Sequence, residues 1–352
     1  MKKILFIFLV FSIGLIGVGC RRNEVGIGDD EGIVIADDEE VNKEDGKEDE
    51  GLKEGIPSPL SGIYASKGKV SRRPVAVMFD NHPRARWQAG LSEAEVVYEF
   101  MVEAPYTRYM GIFLINDPEE LGPIRSSRPY FVTTLLEYDP IYVRVGGSEE
   151  AKKDIKTLGI ADIDGLSSSP SVFYRNTKNG KKKPHNLYTN MNIIRKTQAE
   201  RGYKLEGNFE GFKFFTEDTE INGFSAKDVT IIYNNENNTQ YVYDEAKKNY
   251  KRYKDGKLHI DEYYNIPIVA KNIVIQEANT KVVDKEGRLK IDLIGSGNGI
   301  YITNGQGQNI TWTKNSRNAK TKYYDESGRE IKFNSGITWI QVINTKTNLA
   351  IK

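Results

Sequence analysis

An apolar run near the N-terminus, ending at the only cysteine of the chain, constrains the fold most. Two lysines precede residues 4–19, which are apolar or glycine except for Ser12, and Cys20 follows directly. This layout is typical of a secretory signal peptide, so we predict that residues 1–19 are removed and take no part in the fold. A single cysteine also excludes an intramolecular disulfide. The rest of the chain must therefore fold by burying side chains.

Cys20 fits a lipidation site. In bacterial lipoproteins, aliphatic and small residues precede a cysteine that is diacylated and becomes the mature N-terminus. Val18 and Gly19 fit this pattern, whereas Gly17 stands where leucine is usual. Because a diacyl thioether and an N-acyl chain together anchor a protein stably, we predict attachment to the outer face of a bacterial cytoplasmic membrane through Cys20. The alternative is an uncleaved anchor, since the apolar run reaches the lower limit of about 17 residues for a membrane span.

An acidic stretch follows the cysteine. Residues 23–57 carry fourteen acidic side chains against three lysines and no aromatic residue, so they cannot bury enough apolar surface to fold. We predict that residues 20–57 form a disordered tether. The stretch has a net charge of −11, and the body, residues 58–352, has a net charge of +8. A basic body is compatible with an anionic cell-wall polymer or a phosphorylated lipid as partner, and nothing indicates a nucleic acid.

The body is longer than one hydrophobic core usually supports, which predicts two domains. Residues 58–215 alternate apolar runs with helix-like stretches and are expected to form a mixed α/β layered domain. Residues 216–352 contain short alternating segments separated by turn pairs such as Asp255-Gly256, which predicts a smaller, mainly antiparallel β domain. The fold class is therefore α+β or α/β. The first domain is expected to have strands at residues 74–79, 95–102, 107–115 and 141–145 and helices at residues 129–136, 149–158 and 191–200.

Three loops of the first domain carry candidate ligand-binding groups. Residues 125–128 place two guanidiniums and two hydroxyls just before a helix, and arginine suits bidentate capture of phosphate or carboxylate. Residues 146–148 join a strand to a helix and resemble an anion-binding turn. Asn186 adds a donor group. The candidates are Arg125, Ser126, Ser127, Arg128, Gly146, Gly147, Ser148 and Asn186.

A second set of residues fits acid and base roles in an enzyme. Its members are Asp80, His82, Glu99, Glu103 and His185. A competing interpretation pairs Glu99 and Glu103 with the arginines of the loop, which would then be a capped turn. No nucleophile elbow, HExxH motif or Cys-His pair occurs, so the sequence leaves enzymatic activity open. It indicates no metal site and no cofactor.

Several long segments together resemble the YerB-type lipoproteins, a bacterial envelope family of uncharacterised function. The resemblance covers essentially the whole mature chain and implies two family domains behind a lipid anchor, but no reaction. It rests on PVAVMFDNHPRARWQAGLSEAEVVYEF, LGPIRSSRPYF, YVRVGGSEEA, PHNLYT and GITWIQVI. A fainter similarity links the order of elements to the LytR-CpsA-Psr phosphotransferases. Their Arg-Asp pairing is absent, because Ser126 follows Arg125.

The second domain offers aromatic residues for two roles. Trp312, Trp339 and the tyrosines either fill the core or form a platform for sugars, and the core is the favoured interpretation.

These observations lead to one main hypothesis and two alternatives. The main hypothesis is an extracytoplasmic, membrane-anchored lipoprotein that binds an anionic ligand or partner carrying phosphate or carboxylate. One alternative is a wall-active phosphotransferase or hydrolase, which requires Asp80 and His185 to share a pocket. The other is an adaptor for an envelope protein, which requires an exposed apolar patch.

Overall fold

The computed structural model describes residues 54–352. The predicted signal peptide, Cys20 and most of the predicted tether lie outside these residues. The end of the tether is corrected, because Ile56–Pro57 pairs with Tyr64–Ala65 as a short antiparallel ribbon. The acidic run stops at Glu54, and the apolar residues that follow it are able to pair.

Residues 54–352 are mostly β with few helices. The strands are β1 (Ile56–Pro57), β2 (Tyr64–Ala65), β3 (Val75–Asp80), β4 (Val96–Met101), β5 (Thr107–Phe113), β6 (Ile141–Arg144), β7 (Asp162–Asp164), β8 (Tyr174–Arg175), β9 (Leu187–Tyr188), β10 (Phe224–Ser225), β11 (Asp228–Asn234), β12 (Asn237–Asp244), β13 (Asn249–Lys254), β14 (Lys257–Leu258), β15 (Val269–Ala270), β16 (Asn272–Glu277), β17 (Thr280–Val282), β18 (Leu289–Ile291), β19 (Gly295–Thr303), β20 (Gln306–Lys314), β21 (Lys322–Tyr324), β22 (Thr338–Ile343) and β23 (Asn348–Ile351). The helices are α1 (Lys67–Val70), α2 (Pro129–Leu135), α3 (Glu149–Thr157) and α4 (Met191–Glu200), with short 3-10 helices at Pro83–Ala85 and Leu91–Glu93.

An eleven-stranded mixed sheet forms the centre of the fold. Its order is β10-β20-β19-β16-β22-β4-β5-β3-β6-β7, and β21 pairs with β20. The strand β22 runs parallel to both β16 and β4, so Trp339 lies beside Ile273 on one side and Val97 on the other. All six residues of β22 are buried, as expected for a strand with neighbours on both sides and covered faces. Strands from both sides of residue 215 therefore share one sheet.

The two faces of this sheet are covered by different elements. One face packs against α2 and α3, whose core residues include Phe131 and Ile155. The other packs against α4 and a six-stranded sheet of order β14-β13-β12-β11-β23, with β15 beside β13. Burial alternates along β12 and β13, which is the pattern of strands that pack on one face only.

Sequence signals explain the ends of the helices. Pro129 occupies the first turn of α2, where its missing N–H costs nothing. The Ser148 hydroxyl accepts a hydrogen bond from the Ala151 N–H and caps α3, as predicted. None of the helices between residues 54 and 352 is both long and apolar enough to span a membrane.

Candidate functional site

Asp80, the last residue of β3, organises a cluster of charged and aromatic side chains. Its side chain is almost completely buried. The His185 Nδ1 lies 2.7 Å from the Asp80 Oδ2, and the Arg125 Nε lies 3.3 Å from the same oxygen. The backbone N–H of His82 donates to the Asp80 Oδ1 at 3.0 Å. The structure therefore brings together four of the residues that the sequence singled out.

The charge of Asp80 follows from these neighbours. Burial alone would raise the pKa of this carboxyl group, but the hydrogen bond with His185 and the positive charge of Arg125 outweigh burial and lower it. Asp80 is therefore a carboxylate at neutral pH and accepts a hydrogen bond from the His185 Nδ1–H. This bond fixes the orientation of the imidazole. Among residues 54–352, the Nε2 of His185 and the terminal nitrogens of Arg125 have no hydrogen-bond partner.

His82 lies against this pair. Its ring stacks on that of His185, with centroids 4.4 Å apart and planes 18° from parallel, and Tyr106 lies 4.5 Å from it. The His82 Nδ1 accepts a hydrogen bond from the Arg84 N–H. Burial and the nearby His185 lower the pKa of His82, so the ring is mostly neutral at pH 7.

His185 also lines a cavity of about 720 Å³ with a strongly basic wall. Two of its cations are paired, Arg86 with Asp255 and Lys181 with Glu262 at 2.8 Å. Three others are exposed and have no carboxylate partner within the described part of the chain. These three, the unpaired cations, are Arg84, Lys182 and Lys183. The cavity therefore has a net positive charge next to the Asp80 cluster.

Asn186 supports the loop that carries these lysines. Its side-chain N–H groups donate to the carbonyl groups of Asn176 and Lys181, both at 3.1 Å, and its amide oxygen accepts from Arg175 at 3.2 Å. The side chain is 3% exposed. Asn186 thus shapes the loop, and the structure places it away from the solvent that a ligand would occupy.

The two arginines of residues 125–128, here called the arginine loop, have different partners. Arg125 reaches Asp80, whereas the Arg128 Nε donates to Glu103 at 2.5 Å. The competing interpretation of a capped turn therefore describes Arg128. The carbonyl of Ser126 accepts from Arg108 at 2.7 Å, and the hydroxyl of Ser127 accepts from Tyr142 at 2.7 Å. These contacts hold the loop in place, and both terminal nitrogens of Arg125 are without an acceptor in the described part of the chain.

The backbone N–H groups of Gly146 and Ser148, in the turn at residues 146–148, already donate to acceptors within the protein. The Gly146 N–H donates to the Asp164 carboxylate at 2.8 Å, and the Ser148 N–H donates to the Ser127 carbonyl at 3.3 Å. Gly146 has φ of +65°, a conformation that glycine adopts without strain, and Gly147 packs against Ser127. The turn therefore joins the arginine loop to β7.

Glu99, in β4, is separated from Asp80, in β3, by the strand β5. It is completely buried, and its carboxylate accepts from the Arg252 guanidinium and the Thr107 hydroxyl, both at 2.6 Å. Glu99 thus has no access to the cavity.

Glu103 lies beyond β4, which ends at Met101, so the two glutamates do not share a strand face. Burial would raise the pKa of Glu103, but its hydrogen bond with Arg128 outweighs burial and lowers it.

The cations of the cavity, and Trp87, which also lines it, were not among the candidates predicted from the sequence. A usable signal was present in the run Lys181-Lys182-Lys183 directly before Pro184-His185. Trp312 and Trp339 are 2% and 0% exposed, which confirms that they fill the core.

A known protein family matches two segments of the chain. Residues 60–204 match the N-terminal domain, and residues 229–340 the C-terminal domain, of a family described as "Protein of unknown function (DUF3048)". The chain therefore belongs to this two-domain family, and the predicted membership of the YerB type is confirmed.

One relative is well covered in sequence and structure. The chain is 36% identical over 293 residues to a protein of Bacillus subtilis (strain 168) named "Putative lipoprotein YerB", covering 82% of this chain and 86% of that protein. The crystal structure of the YerB protein from Bacillus subtilis is similar with a TM-score of 0.77 and 33% identity, covering 84% of this chain and 99% of that chain.

Proposed function

We propose that this chain is a membrane-anchored extracytoplasmic lipoprotein whose body binds an anionic ligand carrying phosphate or carboxylate groups. The anchor is supported by the apolar run that ends at Cys20 and by the printed name of the Bacillus subtilis relative. The binding role is supported chiefly by the unpaired cations of the basic cavity.

The arrangement suits an anion for physical reasons. Arg84, Lys182 and Lys183 are like charges that line the same cavity, and an anionic ligand would relieve their mutual repulsion. Arg125 reaches the same Asp80 oxygen as the cavity residue His185, and its planar donors match the oxygen atoms of phosphate or carboxylate. The partner that fits this chemistry outside the membrane is an anionic wall polymer or a phosphorylated lipid.

Neutralising the unpaired cations tests the proposal. We expect Arg84→Gln, Lys182→Gln and Lys183→Gln together to weaken binding of poly(glycerol phosphate) by about tenfold or more. Each exposed charge pair contributes up to about 1 kcal/mol, and a loss of 1.4 kcal/mol changes Kd about tenfold. Calorimetric titration of the full-length protein in detergent, at two salt concentrations, measures this change.

A matched control separates a site from general attraction. Lys153, Lys156 and Lys285 are exposed and lie outside the cavity, so changing them to glutamine removes the same charge. This control is expected to retain most of the affinity. Equal losses in both triple variants, or no binding by the unaltered protein, would contradict the proposal.

A second candidate function is hydrolysis or transfer of a phosphate- or sugar-containing bond. The observation that favours it is the Asp80–His185 pair, because a carboxylate orients the imidazole and leaves its Nε2 free at the cavity. His185 would act as the acid or base in such a reaction. Glu99 is excluded from this role by its burial with Arg252.

Turnover decides between binding and catalysis. If the enzyme hypothesis holds, the protein releases nitrophenol from bis(4-nitrophenyl) phosphate, and His185→Gln lowers this rate by at least a factor of about 100, since a positioned acid or base contributes 10²–10⁴-fold. Lys153→Gln serves as the control that retains activity. Absence of turnover between pH 5 and pH 9, or equal turnover by His185→Gln, would contradict the enzyme hypothesis and leave binding as the proposed function.

A further inference from the structure

We propose that the anionic ligand of the basic cavity is a phosphorylated carbohydrate, with its sugar ring on Trp87 and its phosphate at the unpaired cations. This inference rests on the proposed binding function and specifies the chemical class of the ligand.

Trp87 supplies an aromatic surface in the lining of the cavity. The side chain lines the cavity and is half-buried. Its indole ring lies 5.0 Å from the ring of the buried His259, and its backbone carbonyl accepts a hydrogen bond from the Lys181 ammonium at 2.5 Å. Trp87 is thus held in place by a contact of its ring with His259 and by a hydrogen bond to its main chain. A fixed indole ring suits the C–H face of a sugar.

Polar groups with mixed donor and acceptor character stand near the indole ring. The Glu262 carboxylate lies 2.8 Å from the Lys181 ammonium and accepts from the Tyr188 hydroxyl at 2.6 Å. Asn179 also reaches the Tyr188 hydroxyl, at 2.9 Å. A carboxylate has about four acceptor positions, so Glu262 keeps capacity for ligand hydroxyl groups. Sugars present several hydroxyl groups, each able to donate and accept.

The size of the cavity also argues against a phosphate ion alone. Its volume of about 720 Å³ lies within the range of about 300–1,000 Å³ that is usual for small-molecule sites. Inorganic phosphate would leave most of this space, including Trp87 and Ile260, without a contact. The half-buried Ile260 extends the apolar wall beside the tryptophan.

The three tryptophans make the inference measurable by fluorescence. Trp312 is 2% exposed and Trp339 is 0% exposed, whereas Trp87 lines the cavity. We expect glucose 1-phosphate, galactose 1-phosphate or N-acetylglucosamine 1-phosphate to change the Trp87 emission of the full-length protein. At least one of them should bind about tenfold more tightly than glycerol 1-phosphate. Trp87→Leu should remove this preference but retain binding of glycerol 1-phosphate, and Trp87→Phe should keep most of the preference.

The possible outcomes distinguish this inference from the function on which it rests. Binding of glycerol 1-phosphate that equals binding of all three sugar phosphates would overturn the inference and leave the anion site standing. Tighter binding of uridine monophosphate than of the sugar phosphates would overturn it in favour of a nucleotide. Absence of binding by any phosphate compound would overturn both. If Trp87→Leu does not fold, Trp87→Phe and the emission of the unaltered protein still decide between these outcomes.

Discussion

At the scale of single residues, Arg252 and Glu99 form an ion pair that is completely buried between the two large sheets. The Arg252 Nη2 lies 2.6 Å from the Glu99 Oε2, and the guanidinium carbon lies 4.4 Å from the centroid of the Trp339 ring. Burial and the positive charge of Arg252 lower the pKa of His259 well below its ordinary value. His259 is therefore neutral, with Nδ1 accepting from Arg252 and Nε2–H donating to Gln88.

Gln88 connects this buried network to the candidate site. Its side-chain N–H donates to the backbone carbonyl of Asp80 at 2.8 Å, while its oxygen lies 2.7 Å from the His259 Nε2. A continuous chain of hydrogen bonds thus runs from Glu99 to the residue that orients His185. The position of the Asp80 carboxylate depends on packing in the protein interior.

The first prediction for this scale concerns stability. Arg252→Met should lower the free energy of unfolding by about 3–5 kcal/mol, because it leaves the Glu99 carboxylate buried without its ion-pair partner. Adding Glu99→Leu should recover part of the loss, since both buried charges are then removed together. Urea unfolding of the single and double variants measures the difference.

A surface ion pair provides the control. Arg329 is 81% exposed and pairs with Asp325, so Arg329→Met should cost less than about 1 kcal/mol. The coupling of the buried pair would be contradicted if the Arg252→Met, Glu99→Leu double variant lost as much free energy of unfolding as the two single variants added together.

Single residues also show where sequence reasoning succeeds and where it stops. Asp80, His82, Arg125 and His185 stood out as polar residues at strand ends and in loops, although Asp80 and His185 are separated by 105 positions. Their contact depends on long-range packing, which local patterns do not contain. The unpaired cations were missed because lysine and arginine in a loop have the same pattern whether they line a cavity or face bulk solvent.

At the scale of elements, the helices and strands of the first half were predictable because their patterns are local. The predicted helix at residues 191–200 coincides with α4, and the predicted strand at residues 107–115 contains β5 (Thr107–Phe113). The cap at Ser148 and the proline at the start of α2 gave the helix ends. Propensity, capping and alternation are properties of neighbouring residues, so the sequence contains them directly.

Pairing between distant elements was not predictable in this way. The segment that forms β22 belongs to the second half, for which the sequence predicts short strands, but its parallel pairing with β4 joins residues about 240 positions apart. The same six residues could pair with any edge of matching length. Their place is decided by which neighbours bury both faces, a property of the whole sheet.

At the scale of the whole molecule, the strand order predicts cooperative unfolding. Because β22 lies between β16 and β4, separation of the two halves would leave a central strand without its partner. We expect the full-length protein to melt in one calorimetric transition, with equal calorimetric and van't Hoff enthalpies.

Separate expression of the halves extends this test. Residues 58–215 alone should lack the cooperative transition, because the edge of β4 and the apolar face under the six-stranded sheet are exposed. Co-expression with residues 216–352 is the control that restores the missing strands. Two separate transitions in the full-length protein, or a stable and cooperative first half, would contradict the expectation.

The position of β22 also has a consequence for the order of folding during synthesis. Residues 338–343 supply a central strand, yet a ribosome synthesises them about 240 residues after β4, the strand they pair with. A nascent chain that lacks them cannot close the sheet, so its earlier strands remain without their native neighbours. For a polypeptide that is threaded through a membrane before it folds, as the N-terminal pattern predicts for this one, such a delay is useful. It keeps the sheet open until β22 has crossed the membrane, and the sheet then closes on the far side.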